Sequence, residues 1–266
     1  MTADGGTTSV QRHRSARREG PPRIIGHRGA AASAPENTLA GFRRAAALGA
    51  RWVEFDVRLT RDGRCILLHD DTLERTTDGR GAAARMGFAE IRRLDAGSWF
   101  APEFRGELVP SLEEAIACLG ELRLGAVVEL KPSPGGEAEL ARAALAVLER
   151  HWPSQLPPPL ITSFAAKALA TALERAPHFA RALAIGGVPR AAWRKLVAEL
   201  DCSALHADHR RLDAAIVAEL RASGLPLRAY TVNTQARADE LFAWGVAGLF
   251  TDCPDRLSAA AIDPGI

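Results

Sequence analysis

The sequence predicts a (β/α)8 barrel that carries a small insertion after its second strand. Short apolar segments alternate with longer segments whose apolar residues recur every three or four positions, and eight such pairs follow one another. Strands that alternate with helices require crossover connections and therefore form a parallel sheet. Eight units are more than a doubly wound open sheet usually needs, so the pattern favours a closed barrel. A length of 266 residues suits one such barrel.

The same patterns place the individual elements. Strands are predicted at residues 23–27, 52–58, 125–131, 159–163, 180–185, 203–207, 227–232 and 247–251. Helices are predicted at about 37–48, 111–121, 137–150, 165–176, 189–199, 211–222, 234–243 and 254–261. Ser111 and Glu114 have the spacing of a capping box at the start of the second helix, and Asn37 stands where an N-cap precedes the first.

The chain divides into a tail and one domain. Residues 1–22 hold a basic run and no hydrophobic repeat, so they are interpreted as a flexible basic tail. A nucleic-acid-binding arm is the alternative, and a solvated tail is the favoured interpretation. Residues 23–266 are interpreted as the barrel domain.

The insertion lies between the second strand and its helix. Residues 64–110 are too many for a plain loop, and the segment is rich in glycine. We expect a hairpin at 64–69, a short helix near 88–94, and an insertion subdomain over about 70–110 that sits above the active face of the barrel. An aromatic cluster in this segment is interpreted as its packing core, with an apolar groove for lipids as the alternative. The cluster consists of Trp99, Phe100 and Phe104 with Leu108.

Composition narrows the class of protein. A formal net charge of +2, from 34 basic and 32 acidic residues, gives no reason to expect a nucleic-acid partner or a membrane surface. No apolar run approaches the roughly 18–20 residues that span a bilayer, so stable membrane insertion is not expected. The four scattered cysteines predict buried reduced thiols rather than disulfides or a metal site. A cytoplasmic location is expected, because no hydrophobic signal segment follows Met1.

Charged residues concentrate where the predicted strands end, which is where barrels place their catalytic groups. Glu54 and Asp56 share one face of the second strand, and Glu129 and Lys131 share one face of the third. Together with Arg28, these charges would be costly inside a barrel unless they compensate one another. An internal salt-bridge network is one interpretation. The convergence of three strand ends favours the other, in which three carboxylates hold Mg²⁺ or Ca²⁺.

Two histidines stand at the same edge. His27 ends the first strand, and His69 precedes two aspartates at the start of the insertion. Imidazole titrates near neutral pH, so this pair is the candidate for acid–base catalysis. The other five histidines are interpreted as ordinary core or surface residues, although His206 at the end of the sixth strand is ambiguous.

Short motifs that run in order through residues 23–257 resemble those of the glycerophosphodiester phosphodiesterase family. They are Ile25-Gly26-His27-Arg28-Gly29, Pro35-Glu36-Asn37-Thr38, Glu54-Phe55-Asp56-Val57, Thr60-Arg61-Asp62-Gly63, Leu68-His69-Asp70, Arg75-Thr76-Thr77-Asp78-Gly79, Val109-Pro110-Ser111-Leu112-Glu113-Glu114, Glu129-Leu130-Lys131, Tyr230-Thr231-Val232-Asn233, Gly245-Val246 and Thr251-Asp252. One short piece would be weak evidence, but the ordered set is specific.

The resemblance implies a metal-dependent hydrolase that converts glycerophosphodiesters to glycerol 3-phosphate and an alcohol, with a small molecule as substrate. It implies His27 and His69 as the acid–base pair. The residues implied for the metal are Glu54, Asp56 and Glu129, and those implied for the substrate are Arg28, Lys131 and Tyr230. Tyr230 departs from the tryptophan found in many relatives, which leaves the packing around the substrate open.

Two alternatives are weighed against this function. A lysophospholipase D-like or sphingomyelinase D-like enzyme shares the barrel and a similar set of residues, but it needs an apolar surface for lipid. A barrel that only binds phosphate esters is expected to have lost at least one catalytic group. The retention of both histidines and all three carboxylates argues against the second alternative.

Overall fold

The computed structural model describes residues 20–186 and 192–257, and within them eight parallel strands close into a barrel. The strands of the ring are β1 (Ile24–His27), β2 (Trp52–Leu59), β4 (Gly125–Leu130), β5 (Leu160–Ser163), β6 (Ala180–Ala184), β7 (Ala204–Asp208), β8 (Leu227–Tyr230) and β9 (Gly248–Thr251). Because β1 pairs in parallel with both β2 and β9, the ring has no free edge. The predicted fold class is therefore confirmed.

Helices follow the strands. They are α1 (Leu39–Ala47), α2 (Phe88–Ile91), α3 (Leu112–Leu122), α4 (Glu137–His151), α5 (Ala166–Arg175), α6 (Trp193–Glu199), α7 (Ala214–Arg221) and α8 (Gln235–Ala243). The helix predicted at 254–261 is wrong in its described part, because residues 254–256 form a turn and residues from 258 onward lie outside the described chain. Residues 189–191 of the fifth predicted helix also lie outside it.

One of the two capping predictions is confirmed, and the other is wrong by one residue. The capping box of Ser111 and Glu114 is present at the start of α3. The N-cap of α1 is Thr38, whose hydroxyl accepts a hydrogen bond from the backbone of Gly41, so the assignment of this cap to Asn37 is wrong. Asn37 adopts the left-handed backbone region instead, with φ of 56°, and its side chain turns into the barrel. A local pattern could not separate two adjacent residues that both favour caps.

Side-chain alternation along the strands divides the interior into two layers. Phe55 and Leu130 point outward and join the large apolar core between the strands and the helices. Inward-pointing residues, among them Trp52 and Val127, fill the barrel itself. Toward the carboxyl ends of the strands, polar side chains replace these apolar ones. The functional site therefore lies at the carboxyl ends of the strands, where the inward-pointing side chains become polar.

The insertion packs around its own small core. β3 (Cys65–Leu67) pairs antiparallel with β2, and α2 lies within the predicted short helical stretch. The core consists of Ile66, Leu68, Leu73, Ala83, Ile91, Ala96 and Val109. The interpretation of the aromatic cluster as this core is wrong, since Trp99 keeps 39% of its surface exposed. Its ring packs edge to face on Phe100, and Phe100 packs edge to face on Phe104.

The remaining expectations concern the tail, the thiols and membrane insertion. Residues 1–19 of the predicted tail lie outside the described chain, whereas the Pro21 carbonyl accepts a hydrogen bond from Arg228 at the base of the barrel. All four cysteines are buried and free, as expected. Among residues 20–186 and 192–257, no helix has the length and apolar character needed to cross a bilayer.

Candidate active site

Strand register brings the predicted acidic residues together at the carboxyl end of the barrel. His27 of β1 stands beside Glu54 of β2, and Asp56 stands beside Glu129 of β4. Each of the three carboxylates offers one oxygen, and these oxygens all lie within 4.8 Å of one another. Glu54 and Asp56 are buried, and one oxygen of Glu54, Oε1, has no hydrogen-bond partner among the residues that the structure describes. This donor set of hard oxygen atoms fits a divalent cation.

The charges of this cluster do not balance. Two cationic side chains face the three carboxylates: Arg28 Nε lies 3.3 Å from Asp56, and Lys131 Nζ lies 2.8 Å from Glu129 and 3.5 Å from Asp56. Burial, followed by repulsion from Asp56, raises the pKa of Glu129 to about 7 and that of Glu54 well above its ordinary value. Burial would also raise the pKa of Asp56, but attraction to Arg28 and Lys131 outweighs it and lowers the pKa to about 2. The cluster therefore needs either a proton or a further positive charge.

The loop after β1 fixes the position of Arg28. Its backbone has φ of 51°, its N–H donates to Glu54, and its guanidinium donates to Glu36 at 2.7 Å. The turn depends on Gly29, which has φ of 93° and leaves no space for a side chain, because a Cβ there would lie 2.7 Å from the backbone of Gly41. Arg28 is thereby held in the wall of the site, and its pKa is raised because nearby carboxylates outweigh the effect of burial.

His27 is oriented by a carboxylate to which the sequence analysis assigns no role. Its Nδ1 lies 2.7 Å from Asp252, which directly follows β9 and is itself held by the side-chain amide of Asn233. Since an ionised carboxylate only accepts hydrogen bonds, Nδ1 carries the proton and Nε2 is left for chemistry. Nε2 lies 3.9 Å from Glu54. The rule that places function at strand ends would have identified Asp252 too.

His69 forms a similar pair in the insertion. Its Nδ1 lies 2.6 Å from Asp70, and Arg75 donates to the same carboxylate at 2.6 Å. Burial lowers the pKa of His69, with the positive charges of Arg28 and Lys131 adding to the effect against the attraction of Asp56. Both histidines therefore have a carboxylate at Nδ1.

One cavity of about 380 Å³ unites these groups. It is lined by seven of the eight predicted site residues, and Asp56, the eighth, lies directly behind Arg28 and Lys131. The predicted residues in the lining are His27, Arg28, Glu54, His69, Glu129, Lys131 and Tyr230. Tyr230 packs edge to face on Phe164, with ring centroids 5.9 Å apart.

The sequence does not predict Thr162 and His209 as cavity residues, and it leaves His206 open between a structural role and a role in the site. His206 and Thr162 line the buried part of the cavity, and His209 lines it as well. Thr162 donates its hydroxyl proton to the carbonyl of Ala182, so the Nδ1 of His206, 3.0 Å away, is the donor to Thr162. The Nε2 of His206 is then a lone-pair acceptor, and within residues 20–186 and 192–257 it has no hydrogen-bond partner. The signal was the position of His206 inside a strand, but nothing in the sequence distinguished it from a packed core histidine.

Comparisons with known proteins agree with the resemblance of the motifs. The model of the glycerophosphoryl diester phosphodiesterase family matches residues 27–256. The glycerophosphodiester phosphodiesterase of Bacillus subtilis strain 168 is 32% identical, with 88% of this chain and 85% of that protein covered. The glycerophosphodiester phosphodiesterase of Caldanaerobacter subterraneus subsp. tengcongensis is also 32% identical, with 88% and 95% covered. A solved Oleispira antarctica phosphodiesterase, in complex with the product sn-glycerol-3-phosphate, gives a TM-score of 0.85 at 40% identity, covering 88% of this chain and 94% of that one.

Proposed function

The chain belongs to the glycerophosphoryl diester phosphodiesterase family and is a glycerophosphodiester phosphodiesterase, and we propose that its reaction is metal-dependent and uses His27 and His69 as the acid–base pair. The products are glycerol 3-phosphate and an alcohol. The observation that carries this proposal is the meeting of three carboxylates, two cationic side chains and two carboxylate-bound histidines at one cavity.

Glu54, Asp56 and Glu129 hold the metal in this proposal. Their fit rests on the unpartnered Glu54 Oε1 and on the raised pKa values of Glu54 and Glu129, which burial and mutual repulsion produce. When bound, a divalent cation supplies positive charge that offsets the negative charge on the phosphate oxygens in the transition state. A Mg²⁺ or Ca²⁺ ion suits the oxygen ligands.

Arg28 and Lys131 bind the phosphate from the same wall. Both line the cavity and are anchored by carboxylates, so their charges are held in place before the substrate arrives. Preorganised positive charge stabilises a transition state more than mobile charge does, because no energy is spent on reorganisation. Glu36 supports this arrangement by accepting hydrogen bonds from both Arg28 and Arg75.

The histidines move the protons. Because Asp252 and Asp70 accept the Nδ1 protons of His27 and His69, the Nε2 atoms are left for the substrate. One Nε2 takes the proton of the attacking hydroxyl, and the other, in the protonated form, gives its proton to the oxygen of the departing alcohol. The same pair serves attack by water or attack by the glycerol 2-hydroxyl, in which case water then opens the cyclic phosphate.

The test is the release of glycerol 3-phosphate from glycerophosphocholine, measured with and without EDTA. We expect the chelator to abolish turnover and added Mg²⁺ or Ca²⁺ to restore it, since the carboxylates alone leave the site with excess negative charge. A rate that the chelator leaves unchanged would remove the metal from the proposal. The solved Oleispira antarctica relative, which contains sn-glycerol-3-phosphate, supports the choice of product.

A lysophospholipid is a second candidate substrate. One observation favours it: Trp99 and Phe164 are exposed large hydrophobic side chains, and each lines a cavity that includes His27 and Arg28. Comparison of lysophosphatidylcholine with glycerophosphocholine in the same assay separates the two. Faster turnover of the lysophospholipid would favour the lipid substrate.

A further inference from the structure

A second cavity adjoins the first at His27 and Arg28. This outer cavity, of about 320 Å³, is also lined by Trp99 and Phe100 of the insertion and by Ala31 of the loop after β1. The catalytic cavity shares His27 and Arg28 with it but includes neither Trp99 nor Phe100. A phosphodiester held at Arg28 therefore has a separate space for each of its two alcohol substituents.

Trp99 is fixed rather than loosely attached. Its indole N–H donates to the carbonyl of Ala96 at 2.8 Å, and its ring packs edge to face on Phe100. The carboxylate of Asp95 organises the loop by accepting hydrogen bonds from the backbone and hydroxyl of Ser98, among others. Gly97 allows the tight fold of this loop, since a Cβ there would lie 1.9 Å from the backbone oxygen of Phe104.

The insertion is also tied to the barrel beside the site. The carboxylate of Glu107 accepts a hydrogen bond from the backbone of Ala40 in the first turn of α1, and Arg75 bridges Glu36 and Asp70. The aromatic pair is therefore held at a set place next to His27 and Arg28. Because the indole is already fixed by its hydrogen bond to Ala96, a ligand that packs on it loses little side-chain entropy on binding.

The chemistry of the two cavities differs. The catalytic cavity offers hydroxyl partners, such as the free Nε2 of His206. The outer cavity offers an indole ring and the carboxylate of Asp252, which His27 and Asn233 hold in place. Glu36 also lines this cavity, but its charge is offset by Arg28 and Arg75, and the charge of Arg28 is taken up by the phosphate in the proposed complex. An aromatic face beside a carboxylate attracts an organic cation, and tryptophan is the best side chain for a quaternary ammonium group.

We propose that the outer cavity is the head-group subsite and that it binds a quaternary ammonium alcohol of the choline class on the face of Trp99. The glycerol part of the substrate then lies in the catalytic cavity, with a hydroxyl directed at His206. This inference rests on the proposed function, because it takes the phosphate to bind at Arg28. It assigns Trp99 as a residue that determines substrate preference and leaves the catalytic groups as described.

The test compares three diesters of glycerol 3-phosphate. One carries choline, one carries the uncharged isostere 3,3-dimethylbutanol, and one is the methyl ester. We expect the wild-type protein to prefer choline over the isostere, measured by kcat/KM. Trp99→Ala should reduce this preference by about 3- to 30-fold, the range that a cation on an indole ring provides, and Trp99→Phe should retain part of it.

Phe164→Ala is the matched control, because Phe164 is an exposed aromatic residue that lines only the catalytic cavity of the two. We expect it to keep the preference for choline over the isostere. A preference that survives Trp99→Ala within twofold, or that is lost in Phe164→Ala instead, overturns the proposal. The proposal is also overturned if Trp99→Ala lowers kcat/KM by the same factor for lysophosphatidylcholine, the choline diester and the isostere diester. Trp99 would then contact an acyl chain and not the choline group.

A binding measurement separates this inference from the proposed function. Calorimetry with the His69→Ala variant, in which turnover should be slower by roughly 10²–10⁴-fold, gives the Kd of the choline diester and of its isostere. His69 is not in the lining of the outer cavity. Tighter binding of the choline diester that depends on Trp99 supports the subsite even if no diester is hydrolysed. Equal Kd values, with normal hydrolysis of the methyl ester by the wild type, refute the subsite and leave the proposed function in place.

Discussion

The metal-free protein should lose stability as the pH rises through neutrality, and a divalent cation should restore it. Glu129 is the source of this expectation, because burial and repulsion from Asp56 raise its pKa from an ordinary 4.5 to about 7. A carboxyl whose pKa is raised by folding stabilises the fold while it is protonated in both states, at low pH. That contribution is lost as the pH rises from about 4.5 through 7.

The magnitude follows from the size of the rise. A change from 4.5 to about 7 corresponds to about 3 kcal/mol of the free energy of unfolding. For a domain of this size, about 3 kcal/mol lowers Tm by roughly 6–12 °C. The assay is thermal unfolding at pH 5.5 and pH 8, each in EDTA and in Mg²⁺ or Ca²⁺. We expect the cation to raise Tm strongly at pH 8 and weakly at pH 5.5, where protons compete for Glu129.

Two substitutions sharpen this experiment. Glu129→Gln removes the titrating group, so we expect a smaller change of Tm with pH in EDTA and little response to the cation. Glu174→Gln, on the exposed face of α5, is the matched control and should behave like the wild type. Identical Tm values in EDTA and in cation at pH 8 would refute the reasoning. Full pH dependence in Glu129→Gln would refute the assignment to that residue.

Three further predictions concern the two histidines, the carboxylate that orients His27, and the asparagine that binds Asp56. His27→Ala and His69→Ala should each lower kcat by roughly 10²–10⁴-fold with little change in Tm, because each removes one proton-transfer group; a rate near that of the wild type in either variant contradicts its role. Asp252→Asn should lower kcat by about tenfold or more and move the pH–rate profile, because the acceptor for the Nδ1 proton of His27 is weakened; an unmoved profile speaks against this positioning role. Asn37→Ala should cost about 1–3 kcal/mol of stability, read by chemical denaturation, because its amide exchanges two buried hydrogen bonds with Asp56 at 2.9 and 3.1 Å; a loss below 0.5 kcal/mol, roughly the size of a surface substitution, would show that these bonds matter little.

The sequence predicted the barrel because its periodic patterns are local. Each strand and crossover helix carries its own pattern, and eight parallel strands have few ways to close. Local patterns gave wrong predictions where the outcome depends on residues that are distant in the chain, as in the choice of a helix cap and the burial of an aromatic cluster. Asn37 and Thr38 both favour a helix cap. Thr38 is the cap in the structure because Asp56 of β2 binds the side chain of Asn37. The aromatic cluster around Trp99 looked like a core because apolarity alone does not reveal whether a side chain is covered.

The candidate site shows the same division. His27, Glu54 and Glu129 could be singled out from the sequence, because strand ends of a barrel meet at one face and ionisable side chains are costly there without a purpose. The strand-end rule also covers Asp252, but its pairing with His27 could not be predicted. The two residues are 225 positions apart and become neighbours only when β1 pairs with β9.

The sequence by itself determined which chemical groups stand at the ends of the strands, because that placement depends on local periodicity. Only the tertiary structure decided which of these groups touch, how their pKa values shift, and that a second cavity with Trp99 lies beside Arg28. Contacts of this kind join residues far apart in the chain, and electrostatic interactions depend on the distances and burial that folding creates.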